Sequence, residues 1–395
     1  MTQAIQAAPS RISTCFKPIA EAWRKTAAGV GGVFKKLFEP IAGYFLKICV
    51  FRDAALQGRC SRSFMTPIAR GIVNLWMKSQ KIPNKLDAFD PARLKRSEAF
   101  LTEFAEMRTI RTVDGVELKW ALFTPERFNQ WIADNGGVRD GEWIRPRSDA
   151  DWPRLQRLKE FKMFPEWFQE EGRAFRIPAP VPGAENKCVL RCQGFGRSIP
   201  MDKAFIGLHL AAGFSYAVFD WRPKINAKGF FEDAEAAYQA VRAAGFAPQQ
   251  IKAMGSCRAT FVVSRLKELH HQEGLDVVMM HTPPSLEAIV ANQTWPANKI
   301  GLCGLGAIER DGAHFDTLRR LEGLEPGPSR TCLIMSEGDK TVPADTIDRL
   351  TRAAQRIGGT DLILEPKVEG GHDPHFGEPL RDAEVLRRYF AFLGA

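Results

Sequence analysis

The sequence predicts an α/β fold: a mostly parallel sheet covered by helices on both faces, with antiparallel strands added at one edge. Three observations point there. Short apolar runs alternate regularly with helical segments through the second half of the chain. An alternating hairpin pattern precedes them. A chain of 395 residues, 45% of them hydrophobic and 26% charged, is long enough to bury one large core plus a smaller appendage.

Residues 1–105 read as a basic helical segment. Phe16, Ile19, Trp23 and Ala27 recur at helical spacing, Gly29 to Gly32 interrupts, and Phe34, Leu37, Phe38 and Ile41 form a second run. A third helix spans Pro67 to Met77 and carries Ile68, Ile72, Leu75 and Trp76. Residues 106–395 form the α/β domain. Thr109 to Val113 and Val116 to Phe123 flank Asp114-Gly115, a dipeptide that favours a hairpin turn. A Trp-rich, charged insertion follows at about 125–184. Strands are then expected at Lys187 to Gln193, Ser215 to Asp220, Ile251 to Gly255, Asp276 to His281, Thr331 to Ser336 and Asp361 to Pro366. Helices are expected at Met201 to Ala212, Phe231 to Ala244, Arg258 to Leu269, Ala344 to Arg356 and Leu380 to Phe392. The apolar segment at about 284–330, with Gly304 and Gly306, breaks the alternation and reads as a cap over a pocket.

Charge is distributed unevenly. Residues 1–100 hold 17 Lys and Arg against 6 Asp and Glu, whereas the remainder holds 38 against 40. Any anionic partner therefore belongs to the N-terminal segment, whose helices either pack on the main domain or another subunit or lie on an anionic membrane surface. Nucleic acid is disfavoured, because the basic segment carries no recognised nucleic-acid motif. The eight cysteines are scattered singly, which suits neither a disulfide framework nor a zinc site. With no secretory signal at Met1 to Thr14, a reducing, cytoplasmic location is expected, peripheral attachment to a membrane and export without a cleaved signal being left open. The longest apolar run, Ile41 to Phe51, contains Lys47 and falls well short of the roughly 20 residues needed to span a bilayer.

The chemistry concentrates after the third expected parallel strand, where Gly255-Ser256-Cys257-Arg258-Ala259 leads into a helix. A sharp strand-to-helix turn requires small residues two before and two after its centre, and Gly255 and Ala259 meet that requirement. A sulfur at a helix N-terminus is favoured as thiolate. The pentapeptide resembles the G-x-S-x-G elbow of the α/β-hydrolase superfamily. Cysteine replaces serine and alanine the last glycine, as in dienelactone hydrolases and polyester synthases. Ser336-Glu337-Gly338-Asp339 resembles that superfamily's acid loop, and Gly370-Gly371-His372 its histidine loop.

The resemblance, over residues 107–393, implies a Cys257–His372–Asp339 triad, with His375 as the other candidate base. Gln193-Gly194-Phe195-Gly196 is similar to the oxyanion loop, so the backbone N–H groups of Phe195 and Arg258 would bind the developing oxyanion. Asp220-Trp221-Arg222 resembles a structural D-x-R turn. The side chain of Arg258 either faces solvent or meets an acidic substrate group, and Arg197 and Lys340 are further cations near the pocket mouth. No metal or cofactor is called for. The implied activity is hydrolysis of an activated ester, thioester or lactone with an apolar acyl group. Acyl transfer by the same triad is one alternative, and a membrane- or partner-binding effector on this scaffold is another.

Overall fold

A computed structural model describes residues 102–160, 170–194, 199–222, 227–291, 315–336, 339, 342, 344–365 and 382–395. The basic segment up to residue 101, Phe195, Arg197, Lys340, His372, His375 and the middle of the expected cap lie outside the described residues.

The chain enters the sheet through a hairpin, β1 (Ala105–Arg111) and β2 (Glu117–Phe123). Its loop closes through Thr112, whose hydroxyl accepts from the Val116 N–H (2.9 Å), and Gly115 takes φ +81°. The parallel strands are β6 (Cys188–Cys192), β7 (Ser215–Phe219), β8 (Ile251–Ser256), β9 (Asp276–Met280), β10 (Thr331–Ser336) and β11 (Thr360–Glu365). They fall within one or two residues of the expected runs. Their buried residues form nearly unbroken apolar stretches because both faces of the sheet are covered.

The strand order is β1-β2-β7-β6-β8-β9-β10-β11, antiparallel across β1/β2 and β2/β7 and parallel elsewhere. Two core layers sandwich the sheet. On one face Leu190, Ala217, Ala253, Val277 and Leu333 meet α3 (Ala227–Ala243), α4 (Ala259–His270) and α7 (Ala344–Ile357). On the other, Val189, Tyr216, Met254, Val278 and Ile334 meet α2 (Lys203–Ala212) and α8 (Ala383–Gly394). Alternate residues of each strand feed the two layers, as the pleat requires.

The insertion after β2 holds more order than its composition suggested. Helix α1 (Pro125–Asp134) is capped by Thr124, and β3 (Gly137–Asp140), β4 (Trp143–Pro146) and β5 (Phe175–Arg176) form a separate antiparallel sheet. Gly141, at φ +57°, takes the first position of the two-residue loop between β3 and β4, where glycine is favoured. Phe128, Trp131, Ile144 and Phe175 pack into the second core layer.

At the expected cap, α5 (Leu286–Ala291) and α6 (Thr317–Gly323) flank a closed neck. The Leu286 N–H donates to Phe315 O (2.8 Å), the Leu318 N–H donates to Pro284 O (3.1 Å), and Ser285 pairs with Asp316. Among the described residues no helix is long and apolar enough to cross a membrane.

The sheet order decides where chemistry can occur. After β6 the chain pairs β7 on one side and returns to pair β8 on the other, so β6 is the switch strand. In open α/β sheets such a switch point, at the C-terminal ends of the strands, is where ligands bind.

Candidate active site

Cys257 is the first residue beyond β8 and adopts φ +50°, the left-handed region that costs a non-glycine residue about 1–3 kcal/mol. Its neighbours make the turn feasible. A Cβ on Gly255 would stand 2.6 Å from Val263 Cγ2 and 2.8 Å from the Ala259 carbonyl oxygen, so only glycine lets the helix double back so closely on its strand. Ala259 is fully buried at the opposite side of the same contact.

Hydrogen bonds fix the turn at both ends. The Cys257 N–H donates to Met280 O (2.9 Å), and the Cys257 carbonyl accepts from the Thr260 N–H (3.1 Å) and hydroxyl (2.5 Å). Cys257 is partly exposed, whereas Cys188, Cys192 and Cys332 are buried. Burial pushes all three of those thiols up, Cys192 to about 12. Among the described cysteines, Cys257 is therefore the one presented for reaction.

Asp339 stands in the turn after β10, two strands from the elbow. Its N–H donates to Ser336 O (3.2 Å), and its Oδ1 accepts from the Val342 N–H (3.1 Å). The side chain is 1% exposed, and Oδ2 lies 3.8 Å from Nδ1 of His281, the first residue beyond β9.

A buried polar network joins the end of β6 to the turn at Ile199–Asp202. Arg191, with no exposed side-chain surface, places Nη2 3.2 Å from Ser256 Oγ and Nε 3.8 Å from Asp202 Oδ2. The guanidinium also stacks 5.2 Å from the Phe205 ring centroid. Asp202 accepts from Gln193 Nε2 (3.0 Å), and the Gln193 carbonyl accepts from Trp221 Nε1 (3.0 Å). The Ile199 N–H donates to Asp220 (2.9 Å). Gln193 and Asp202 thus join the end of β6 to that turn, and Arg191 joins the pair to Ser256, the residue before Cys257.

The D-x-R turn is structural, as expected. Arg222 is buried and donates to Asp233 (2.7 Å) and Asp114 (2.7 and 3.1 Å), tying α3 to the opening hairpin. Gly229 makes room for it, since a Cβ there would stand 2.4 Å from the guanidinium carbon. Arg258 is half-buried at the first turn of α4 and not fully turned to solvent. Burial holds its guanidinium below the usual range, with attraction to Cys257 acting the other way.

Of the expected site residues, Cys257, Arg258 and Asp339 fall on one edge of the sheet, at the ends of β8 and β10. His281 joins them and was read in the sequence only as the end of a strand. Its signal was topological: a histidine just beyond the strand that lies between those leading to Cys257 and Asp339.

An eight-stranded sheet in this order, with a sharp strand-to-helix turn after its switch-point neighbour, defines the α/β-hydrolase fold. One solved structure supports the fold, and two more are similar at lower scores. An alpha-beta hydrolase from Vibrio vulnificus superposes with TM-score 0.52 at 13% identity, over 84% of this chain and 94% of that one. Esterase Est2 of the planctomycete Thermogutta terrifontis gives TM-score 0.45 at 14% identity, over 73% of this chain and 91% of that one. A prolyl endopeptidase gives 0.45 at 12% identity, over 73% of this chain, the match spanning 38% of the endopeptidase. No family model and no curated protein matches the sequence.

Proposed function

We propose that the chain is a hydrolase of activated esters, thioesters or lactones that works through an acyl-enzyme on Cys257. The observation that carries this reading is the placement of Cys257 at φ +50° beyond β8, raised on a turn that only the small residues Gly255 and Ala259 permit. A strained, partly exposed cysteine at a strand-to-helix junction has no packing reason to be there, and strain of this kind gathers at functional positions.

In the proposed reaction His372 takes the Cys257 proton while Asp339 orients and stabilises the resulting imidazolium. The thiolate attacks the carbonyl carbon, and the N–H groups of Phe195 and Arg258 bind the oxyanion. Collapse breaks the bond to the leaving group, which receives its proton from His372, and leaves a thioester. Water then attacks the thioester, giving its proton to His372, and the acid and the thiol are released. A hydroxyl or thiol acceptor in place of water turns the same cycle into acyl transfer.

Cysteine restricts the substrate. A thiolate leaves a tetrahedral intermediate more readily than an alkoxide does, so unactivated esters and amides return to starting material. Thioesters, lactones and enol or aryl esters partition forward.

Intact-mass spectrometry after mixing with p-nitrophenyl esters and acyl thioesters tests the proposal. Wild type is expected to gain one acyl group and Cys257→Ala none, with His372→Ala acylating about 10²- to 10⁴-fold more slowly. Equal acylation of wild type and Cys257→Ala, or none in either, refutes it.

A further inference from the structure

We infer that His281 is a positioning residue of this site: its imidazole holds the Asp339 carboxylate in the orientation in which it serves the catalytic histidine. The inference rests on the proposed acyl-enzyme reading.

Backbone strain is the first ground. Among the described residues, Cys257 and His281 are the two non-glycine positions with positive φ, at +50° and +47°. Each is the first residue beyond the C-terminal end of its strand, and those strands, β8 and β9, are parallel neighbours with Ser256 opposite Met280. The same unfavourable conformation therefore occurs twice, side by side, at the edge of the sheet that carries the nucleophile. Histidine enters the left-handed region more readily than most residues, whereas the apolar residues that would fill a buried strand end resist it.

Connectivity is the second. The Cys257 N–H is held by Met280 O (2.9 Å), and the His281 N–H is held by Ile334 O (2.8 Å) on β10. Two residues beyond Ile334, Ser336 O accepts from the Asp339 N–H. One run of main-chain hydrogen bonds thus steps from the nucleophile to the acid, with His281 at its midpoint.

The third ground is the pairing itself. His281 is 2% exposed, and its Nδ1 lies 3.8 Å from Oδ2 of Asp339, which is 1% exposed. Oδ1 is already engaged by the Val342 N–H. A buried carboxylate needs polar partners on both oxygens. The Val342 N–H binds one oxygen, and the His281 imidazole lies beside the other at charge-pair distance, longer than a direct hydrogen bond. A misplacement of about 1 Å in a catalytic group costs up to a hundredfold in rate.

A double-substitution cycle tests this, using an ester that acylates Cys257. His281→Asn tolerates the left-handed backbone and keeps a donor; His281→Leu keeps bulk and loses the donor. Both are expected to lower kcat, by roughly tenfold for Asn and up to about a hundredfold for Leu, with KM within about twofold of wild type. In an Asp339→Asn background His281→Asn is expected to add less than about a twofold further loss, because it acts through that carboxylate. If His281→Leu does not fold, His281→Asn carries the cycle, with thermal denaturation confirming its integrity. A folded His281→Asn with wild-type kcat, or the same loss with and without Asp339, overturns the inference while the acyl-enzyme stands. A wild type that forms no acyl-enzyme overturns both.

Discussion

Replacing Gly255 by alanine tests the elbow with a single methyl group. The added Cβ would meet Val263 Cγ2 at 2.6 Å, the Ala259 carbonyl oxygen at 2.8 Å and its carbon at 2.9 Å. Comfortable carbon contacts begin at about 3.5 Å. The valine methyl can rotate away, but the Ala259 contacts are main chain in the first turn of α4. Either that turn recedes from β8 by roughly half an ångström or the strand end tilts. Overpacking of this kind costs about 1–3 kcal/mol, which at about 2–4 °C per kcal/mol for a domain of this order lowers Tm by several degrees. The same recession carries Cys257 and the Arg258 N–H away from the position where an oxyanion would form, so acylation of Cys257 is expected to slow at least tenfold. Differential scanning fluorimetry and time-resolved intact-mass spectrometry read the two effects. Gly323→Ala is the control, because nothing lies within 4 Å of a Cβ there, and it is expected to match wild type in both assays. A Gly255→Ala protein with unchanged Tm and unchanged acylation would refute the steric account of the turn.

Two further predictions concern buried charge. Asp202→Ala leaves the Arg191 guanidinium without its fully buried counter-charge at 3.8 Å and is expected to destabilise the fold by about 3–5 kcal/mol in urea unfolding; a change under about 1 kcal/mol would show that the pair does not hold the turn. Lys267 donates to Ser329 O (3.1 Å) and Oγ (2.6 Å), and burial lowers its ammonium to about 7. Between about pH 7 and the ordinary lysine value of about 10.4, the unfolded chain keeps a proton that the folded chain has released, so this residue makes stability rise with pH, by at most about 1.4 kcal/mol per unit. Below pH 7 both states are protonated and the slope vanishes. Lys267→Met should therefore lose stability relative to wild type as pH goes from 7 to 9, and parallel pH profiles for the two proteins would contradict the assignment.

How much of this was legible beforehand follows from where each constraint resides. The parallel strands could be read because burial on both faces makes them continuous apolar runs, and Thr331–Ser336 was delimited to the residue. Cys257 could be read because the steric demand of the elbow falls on residues two before and two after it. The small second sheet could not: β5 has two residues, and its pairing of Phe175 with Ile144 spans a long stretch of insertion with only Asp140-Gly141 as a local sign. Arg191 was hidden inside an apolar run, and only the fold shows that its charge is shared with Asp202 and Ser256.

His281 marks the boundary most clearly. Its position at a strand end was visible, but that strand is the sixth parallel or antiparallel element along the sheet only after the chain has crossed back over β6. The register that sets Ser256 against Met280, and Val278 against Cys332, brings the ends of β8 and β9 level and lets β10 run two residues further, to the turn that carries Asp339. With that register, the residue after β9 lies beside the carboxylate of Asp339. A sequence states which side chains are available for acid–base work; the order and register of the strands state which of them can touch. That is why a residue with no motif around it can belong to the site as closely as one at the centre of the elbow.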